Sequence, residues 1–183
     1  MSKPRIIAGT AAGRQLATPK KGTRPSPSRL REALFSIIAF EPRELFVDLY
    51  SGSGAIGLEA ASRGFPATLV ELSSEATRVL RSNAQRLELP ATVVQGDALK
   101  YIPTIPGQAH IVFAAPPYPL DLAHIFETIY LSTAARPGGL YIFQHPTGYE
   151  LPFLANIVGA EVRERRYGSN ALTFVRMEDS TQG

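Results

Sequence analysis

The sequence predicts an α/β fold in which helices flank a mostly parallel sheet, preceded by a small N-terminal β-hairpin extension. Three observations support this prediction. Short apolar runs alternate with helical patterns from residue 45 onward, which is typical of parallel strands covered by helices. Residues 46–57 have the pattern of a buried strand that turns through Gly52 and Gly54 into a helix. Residues 167–170 are a turn-rich link between two further strand candidates, which indicates a closing hairpin.

The composition is that of one domain with a substantial core. The chain has 183 residues, of which 44% are hydrophobic. It contains no run of about eighteen apolar residues and no secretory leader, so we expect a cytoplasmic protein with no membrane partner, and we take it to be a monomer. Because there is no cysteine and the three histidines are far apart in sequence, we also expect no metal site.

Positive charge is concentrated at the N-terminus. Residues 1–31 contain eight basic residues and no acid, which leaves 11 basic against 16 acidic residues in the remainder. A basic segment on an otherwise acidic domain is typical of a protein that binds a polyanion, most often nucleic acid, although a solvated basic tail is the alternative. The eight basic residues are Lys3, Arg5, Arg14, Lys20, Lys21, Arg24, Arg29 and Arg31.

The basic segment has a secondary-structure pattern of its own. Residues 5–8 and 15–18 flank a glycine-containing turn, which predicts a small hairpin. Residues 25–28 then lead into a helical pattern. The apolar face of that helix is predicted to contain Leu30, Leu34, Ile37 and Ile38. Arg29 and Arg31 are predicted to face outward.

The glycine-rich turn predicts a cofactor pocket. Gly52, Gly54 and Gly57 have the spacing of a dinucleotide-binding loop, and Glu71 ends the next strand, where an acid can hold ribose hydroxyls. NAD and S-adenosylmethionine both fit this pattern, as does a turn without a ligand. Asp48 favours S-adenosylmethionine, because a carboxylate beside the loop can position a cationic ammonium group and would repel a pyrophosphate.

The remaining elements continue the alternation. The strands are predicted at residues 45–50, 67–72, 91–94, 110–114, 140–143, 156–166 and 171–177. The helices are predicted at residues 55–63, from the capping residues Ser73 and Ser74 onward, and at 122–135, where Pro137, Gly138 and Gly139 end the last one. Asp97 follows the third strand, where an acid or its backbone can meet the exocyclic amine of an adenine; an ordinary turn residue is the alternative.

A proline-rich loop follows the fourth strand directly. Pro116, Pro117 and Pro119 cannot continue a central strand, so the chain must leave the sheet here and present Tyr118 on a stiff segment. Further along, Gln144 and His145 follow the fifth strand and can face the pocket. Arg163, Arg165 and Arg166 alternate with Glu161 and Glu164, which indicates a solvated strand face more than a nucleic-acid groove.

These segments together resemble the bacterial 16S ribosomal RNA (guanine-N2)-methyltransferases of the RsmD type, within the class I S-adenosylmethionine-dependent methyltransferases. The matching segments cover nearly the whole chain in family order, and the N-terminal arginine motifs make the resemblance specific. The segments are residues 5–9 with 13–14, Thr23 to Ser26 with Arg29 to Phe35, Asp48 to Ala60, Pro116-Pro117-Tyr118, and Arg166 to Gly168.

The resemblance implies a Rossmann-like class I methyltransferase fold, with seven strands of which the last is antiparallel. It implies methyl transfer from S-adenosylmethionine to the N2 amine of a guanine that is flipped out of the 16S RNA of the small ribosomal subunit. A basic RNA-binding hairpin extension is expected at residues 1–25, the methyltransferase domain at 26–178 and a polar tail at 179–183. The implied cofactor contacts are Asp48, Tyr50, Ser51, Gly52, Ser53, Gly54, Glu71, Leu72, Asp97 and Ala98. The implied RNA contacts are Arg5, Arg14, Lys20, Lys21, Arg24, Arg29 and Arg31.

The residue types after the fourth strand suit this reaction, and we take Ala115, Pro116, Pro117 and Tyr118 as the catalytic segment. An exocyclic guanine amine is a poor nucleophile, so an enzyme must hold its N–H groups and aim the nitrogen at the methyl group. The carbonyls of Ala115 and Pro116 can accept those N–H groups, and Tyr118 can stack on the extruded base. Ala115 departs from the family, which has Asp or Asn there, and the lost acceptor costs about 2–4 kcal/mol unless another group replaces it. We expect the backbone carbonyls to sustain activity.

Three alternatives stay open on the sequence. The first is an RNA-associated protein that binds S-adenosylmethionine but has weak or no catalysis because of Ala115. The second is a DNA amino-methyltransferase, although the chain has no spare segment to read the major groove. The third is an NAD-linked Rossmann enzyme, which would leave the Pro-Pro-Tyr loop and the basic arm unused.

Overall fold

Seven strands form one mostly parallel sheet, as the family resemblance implies. The computed structural model describes residues 3–20 and 27–179, and the chain separates into two compact units, Met1–Ala98 and Leu99–Gly183. The elements in the first part of the chain are α1 (Ser28–Ile37), β1 (Phe46–Leu49), α2 (Gly57–Ser62), β2 (Ala67–Glu71), α3 (Ser74–Arg86), β3 (Ala91–Gln95) and α4 (Ala98–Tyr101). The later elements are β4 (Ala109–Ala114), α5 (Leu122–Leu131), β5 (Ala135–Pro146), β6 (Ala160–Tyr167) and β7 (Asn170–Met177), with short 3-10 helices at Ile102–Thr104 and Pro152–Asn156.

In the first unit, β1, β2 and β3 are parallel, and β2 lies between the other two. All four residues of β1 are buried, which explains its continuous apolar sequence around a single acid. Because parallel strands run in the same direction, the carboxyl ends of β1, β2 and β3 lie at one edge of the sheet. The residues predicted to hold a cofactor lie at these three ends or directly after them.

The predicted N-terminal hairpin is present, but as two short segments joined by one bridge between Arg5 and Gln15. The amide of Ile6 donates to Arg14 O at 2.9 Å, and the amide of Leu16 donates to Pro4 O at 2.8 Å. The side chains of Ile6 and Leu16 are buried and belong to one apolar cluster with residues of α2, β2 and α3. The hairpin is therefore part of the core of the first unit.

Helix α1 corrects two expectations about side-chain direction. Ile37 is 45% exposed, and Phe35 takes its place in the core beside Leu34. Arg31 does not face outward, since only 3% of the residue is exposed. Its Nη1 lies 3.9 Å from the buried carboxylate of Glu59, and burial lowers the pKa of the guanidinium from its usual value. Arg31 is therefore committed to the protein interior and is not offered to RNA.

In the second unit, β4 and β5 are parallel, while β5 pairs with β7 and β7 with β6 in antiparallel ladders. Helix α5 ends at Leu131, earlier than predicted, because Thr133 adopts a left-handed conformation with φ 56°. The segment Pro137 to Gly139 does not end a helix but lies inside β5. Ala109 of β4 pairs with Ala135 of β5, and the next pair joins Ile111 to Leu140. Since β4 advances by two residues between these pairs and β5 by five, residues 136–139 bulge out of the ladder.

Within the described ranges, none of the helices has the length and apolar composition needed to cross a lipid bilayer.

Candidate active site

The loop between β1 and α2 turns through three residues in left-handed conformations. Tyr50 has φ 62°, Gly52 φ 55° and Gly54 φ 81°. For tyrosine this conformation is strained, and it is held by the amide of Ser51 donating to Val70 O at 3.1 Å. The amide of Gly54 donates to Ser51 O at 2.8 Å, which closes the turn. The loop is thus a fixed structure at the carboxyl end of the sheet.

Asp48 holds the loop to the start of α2. Its Oδ2 accepts the amide of Gly57 at 2.9 Å, and only 2% of Asp48 is exposed. A Cβ at Gly57 would lie 2.5 Å from Leu69 Cγ and 2.8 Å from Asp48 Oδ2, so only glycine fits. Burial raises the pKa of Asp48 to about 7, against the partial opposition of the Gly57 hydrogen bond. The contact of Asp48 with a cofactor ammonium stays a prediction.

The raised pKa of Asp48 gives an expected pH dependence of stability. The folded protein keeps a proton on this carboxyl up to about pH 7, whereas the unfolded chain releases it near the usual 3.8, so ionisation destabilises the fold as pH rises between these values. Asp48→Asn lacks this titration. From pH 5 to 7 we expect the unfolding free energy of wild type to fall relative to the variant, by at most about 1.4 kcal/mol per pH unit. Urea unfolding at each pH measures this difference, and a constant difference would contradict it.

Glu71 connects the ends of the three parallel strands. Its Oε1 accepts the amide of Gly52 and its Oε2 the amide of Ser73, both at 2.8 Å. Its backbone oxygen accepts the amide of Gly96, beyond β3, at 2.9 Å. The carboxylate therefore lies directly against the glycine loop, where its remaining acceptor capacity suits the two hydroxyls of a ribose.

The residues at the ends of β2 and β3 suit the binding of an adenine. Leu72 is 70% exposed at the end of β2, an unusual position for leucine that offers an apolar surface to a ring. Asp97 is exposed beyond β3, and Ala98 is buried at the start of α4. Burial, reinforced by the charge of Asp97, raises the pKa of Tyr50 to about 12. The structure thus brings the predicted cofactor residues of the first unit together at one edge of the sheet.

In the second unit, the loop after β4 presents Tyr118 at a strand end. Pro116 is buried, while Pro117 and Tyr118 are exposed. The Tyr118 hydroxyl donates to Asn170 Oδ1 and accepts a hydrogen bond from Gln144 Nε2 at 3.3 Å. We call these three residues the Tyr118 clamp. Partial burial raises the pKa of Tyr118, so the hydroxyl stays protonated and able to donate.

The carbonyl groups of the same loop are available to a ligand. Within residues 3–20 and 27–179, no loop, turn or side-chain donor bonds to the carbonyl oxygens of Ala115 or Pro116. The carbonyl of Pro117 instead accepts the amide of Leu120 at 3.1 Å, which tightens the turn after the prolines. The two upstream carbonyls can therefore accept the N–H groups of an amine.

Sequence reasoning missed the role of Asn170, and of Gln144 it expected only that the side chain can face the pocket. Both lie on β-strands that are far from Tyr118 in sequence, so only the antiparallel register of β5 and β7 brings them together. The nearest sequence signal was the turn at residues 167–170. His145 is structural: its Nδ1 donates to Pro146 O at 2.9 Å, and its Nε2 accepts from Thr173 Oγ1 at 2.7 Å.

The basic arm, residues 3–20 of the N-terminal hairpin segment, is anchored to α2 by the buried carboxylate of Glu59. Glu59 accepts the amides of Ile7 and Ala8 at 2.7 and 3.0 Å, and it also accepts Arg63 Nε at 2.8 Å. Ser62 Oγ accepts the amide of Ala11 at 2.9 Å. Arg5, Arg14 and Lys20 are exposed on this segment, and Arg29 is exposed on α1. Lys21 and Arg24 lie outside the described residues.

Among residues 3–20 and 27–179, no group of three or more His, Cys, Asp or Glu side chains could hold a metal ion.

Comparisons with known proteins show which family the chain is similar to. The family described as conserved hypothetical protein 95 matches residues 4–176. Ribosomal RNA small subunit methyltransferase D of Escherichia coli (strain K12) is 37% identical over 131 residues, which cover 69% of this chain and 65% of that protein. The Haemophilus influenzae protein of the same name is 33% identical over 127 residues, covering 65% of this chain and 66% of that one. The chain is thus matched to just under two thirds of the length of these relatives.

A solved structure is similar over almost its full length. Hypothetical protein TTHA0928 of Thermus thermophilus is 42% identical, with a TM-score of 0.81, and the match covers 95% of this chain and 98% of that one. Since the family match extends over residues 4–176, which are most of the chain, the chain belongs to the family of conserved hypothetical protein 95, which is the RsmD family that its motifs resemble.

Proposed function

We propose that the protein transfers a methyl group from S-adenosylmethionine to the exocyclic N2 amine of a guanine in the 16S RNA of the small ribosomal subunit. The observation that carries the proposal is the Tyr118 clamp beside two available carbonyl groups, because a flipped base needs both a stacking surface and acceptors for its amine. The relatives named as small subunit methyltransferases support the substrate class. Such a substrate places the enzyme in the cytoplasm.

The cofactor contacts are proposed for the edge of the first unit. Glu71 would hold the ribose hydroxyls, Leu72 would cover the adenine and Asp97 would lie beside its amine. The remaining contacts come from the loop residues Tyr50, Ser51, Gly52, Ser53 and Gly54 and from Ala98. When bound, S-adenosylmethionine supplies an electrophilic methyl group and leaves as S-adenosylhomocysteine. Asp48 argues against a dinucleotide, because its side-chain oxygen already accepts the Gly57 amide at the helix start, where a pyrophosphate would bind.

The chain's own residues would position the amine. Tyr118 stacks on the extruded guanine, and the clamp prevents the ring from turning away. The carbonyls of Ala115 and Pro116 accept the N–H groups and so fix the direction of the nitrogen lone pair, as methyl transfer requires. The prolines preorganise these acceptors, which reduces the reorganisation needed during transfer.

The RNA-binding surface is proposed to include the basic arm. Arg5, Arg14, Lys20 and Arg29 expose their charges on a hairpin and helix that are fixed to the fold, which suits contact with RNA phosphates. We propose residues 1–25 as the RNA-binding extension, 26–178 as the methyltransferase domain and 179–183 as a polar tail.

The experiment that tests the proposal is transfer of labelled methyl from S-adenosylmethionine to small ribosomal subunits that lack the modification. Free RNA and duplex DNA are assayed alongside, and the labelled nucleoside is identified. N2-methylguanine in the 16S RNA is the expected product. Absence of transfer to every substrate, with cofactor binding intact, would favour the RNA-associated protein without catalysis, and label in DNA would overturn the substrate.

Ala115 provides a second test of the same reaction. We expect measurable transfer by wild type, because the backbone carbonyls remain, and a higher kcat in Ala115→Asp, by at most about 10²–10³-fold, the range that one such hydrogen bond supplies. Ala115→Val, which changes size without adding an acceptor, is the control. An inactive wild type together with an active Ala115→Asp variant would show that the carbonyl groups are not sufficient.

A further inference from the structure

The arginines of β6 are distributed over both faces of the sheet. In the register with β7, Arg163 pairs with Phe174 and Arg165 with Leu172, while Arg166 pairs with Ala171. Since successive side chains of a strand point to opposite faces, Arg163 and Arg165 lie on one face and Arg166 on the other. The three arginines are therefore not equivalent.

The face that carries Arg165 is the face that carries the Tyr118 clamp. Leu172, the partner of Arg165, pairs on its other side with Gln144 of β5. Directly paired residues of antiparallel strands share a face, so Gln144, Leu172 and Arg165 form one row across three strands. Since neighbouring strands are about 4.8 Å apart, the backbones of Gln144 and Arg165 are about 10 Å apart. One bound nucleotide can therefore lie close to both side chains.

Arg165 differs from its neighbours in its partners. Arg163 is paired with Glu161 at 2.6 Å, and Arg166 is paired with Glu164 at 2.7 Å. Arg165 Nη1 lies 3.5 Å from the backbone oxygen of Glu164, which is the outer limit of a hydrogen bond, and no carboxylate within residues 3–20 and 27–179 pairs with it. Its exposed guanidinium is thus the one on this strand that carries an uncompensated charge.

We propose that Arg165 binds a phosphate of the RNA strand beside the target guanine. The proposal rests on the proposed function, because it assumes that the base stacks on Tyr118. A guanidinium matches a phosphate with two parallel hydrogen bonds, and such contacts fix the position of a strand without reading its sequence. Arg165 would hold the backbone next to the flipped nucleotide while the clamp holds the base.

The test is steady-state methyl transfer to small ribosomal subunits at several salt concentrations. Arg165→Ala is expected to raise KM for the subunit about fivefold, as for a lost surface ion pair, with kcat within about twofold of wild type. The negative slope of log(kcat/KM) against log salt should become shallower by about 0.7–0.9, the share of one phosphate contact. Arg165→Lys should recover part of the affinity and the full salt slope.

Arg166→Ala is the matched control, since it removes an adjacent arginine of the same strand that faces the other way and is paired with Glu164. It should leave KM and the salt slope unchanged. If wild type is active and Arg165→Ala keeps its KM and slope, or if Arg166→Ala loses as much, the phosphate contact is overturned while the proposed function stands. A wild type that transfers methyl to no RNA would overturn both.

Discussion

Replacing Glu59 by alanine should lower the free energy of unfolding by about 3–5 kcal/mol, the cost of removing one partner from a buried ionic network. The residue is fully buried, and its loss leaves the amides of Ile7 and Ala8 without an acceptor. It also leaves the charge of Arg31 buried without its nearest carboxylate. Denaturation in urea, followed by circular dichroism, measures the loss.

Glu59→Gln is the matched variant, because it keeps the shape and one acceptor but removes the charge. An intermediate loss is expected, together with faster hydrogen exchange at the amides of Ile7 and Ala8. Glu75→Gln, which changes an exposed contact to the amide of Lys20, should change stability little. A loss below about 1 kcal/mol in Glu59→Ala would show that the arm does not depend on this carboxylate.

The second large effect is expected at Tyr118. Tyr118→Ala should lower kcat/KM for the RNA substrate by about 5- to 150-fold, which corresponds to the 1–3 kcal/mol of one base stacked on an aromatic ring. Tyr118→Phe keeps the ring but loses the hydrogen bonds to Asn170 and Gln144, so its loss should be smaller and should fall mainly on kcat. Steady-state kinetics with small ribosomal subunits measure both.

Asn170→Ala distinguishes the contribution of the hydrogen bond to the Tyr118 hydroxyl from that of the aromatic ring. If the clamp orients Tyr118, this variant should lose part of what Tyr118→Phe loses, because Gln144 still donates to the tyrosine hydroxyl. The double variant with Tyr118→Phe and Asn170→Ala should lose no more than Tyr118→Phe alone. Binding of S-adenosylmethionine should be unchanged in all of them, since the proposed cofactor contacts lie elsewhere. Wild-type kinetics in Tyr118→Ala would exclude the tyrosine from the reaction.

The parts of the fold predicted well are those encoded locally. The glycine loop turns through Gly52 and Gly54, which tolerate left-handed conformations, and Ser73 caps α3 as predicted by accepting the amide of Ala76. Glycine and proline alone do not distinguish a helix end from a strand bulge, which is why Pro137 to Gly139 were misassigned. The bulge depends on pairing with β4, and a local pattern contains no information about that partner.

The site was predicted in its residue types but not in its supporting contacts. The outward direction assigned to Arg31 was wrong because a helical pattern does not reveal a buried carboxylate on another helix. The Tyr118 clamp was missed for a related reason: Asn170 lies 52 residues beyond Tyr118, and its role exists only once β5 and β7 are paired. Contacts between distant segments are the part that sequence periodicity cannot supply.

The burial of Ile6 and Leu16 limits how far the N-terminal segment can change without loss of stability. Both side chains belong to the apolar cluster that contains Leu58 and Leu80, and Asn83 of α3 exchanges two hydrogen bonds with the backbone of Ala17. Removal of residues 1–20 would expose this apolar surface to water and would take from Glu59 and Asn83 the backbone partners that the segment supplies. Loss, replacement or transplantation of the segment is therefore constrained by the stability of the whole first unit, whatever the segment contributes to RNA binding.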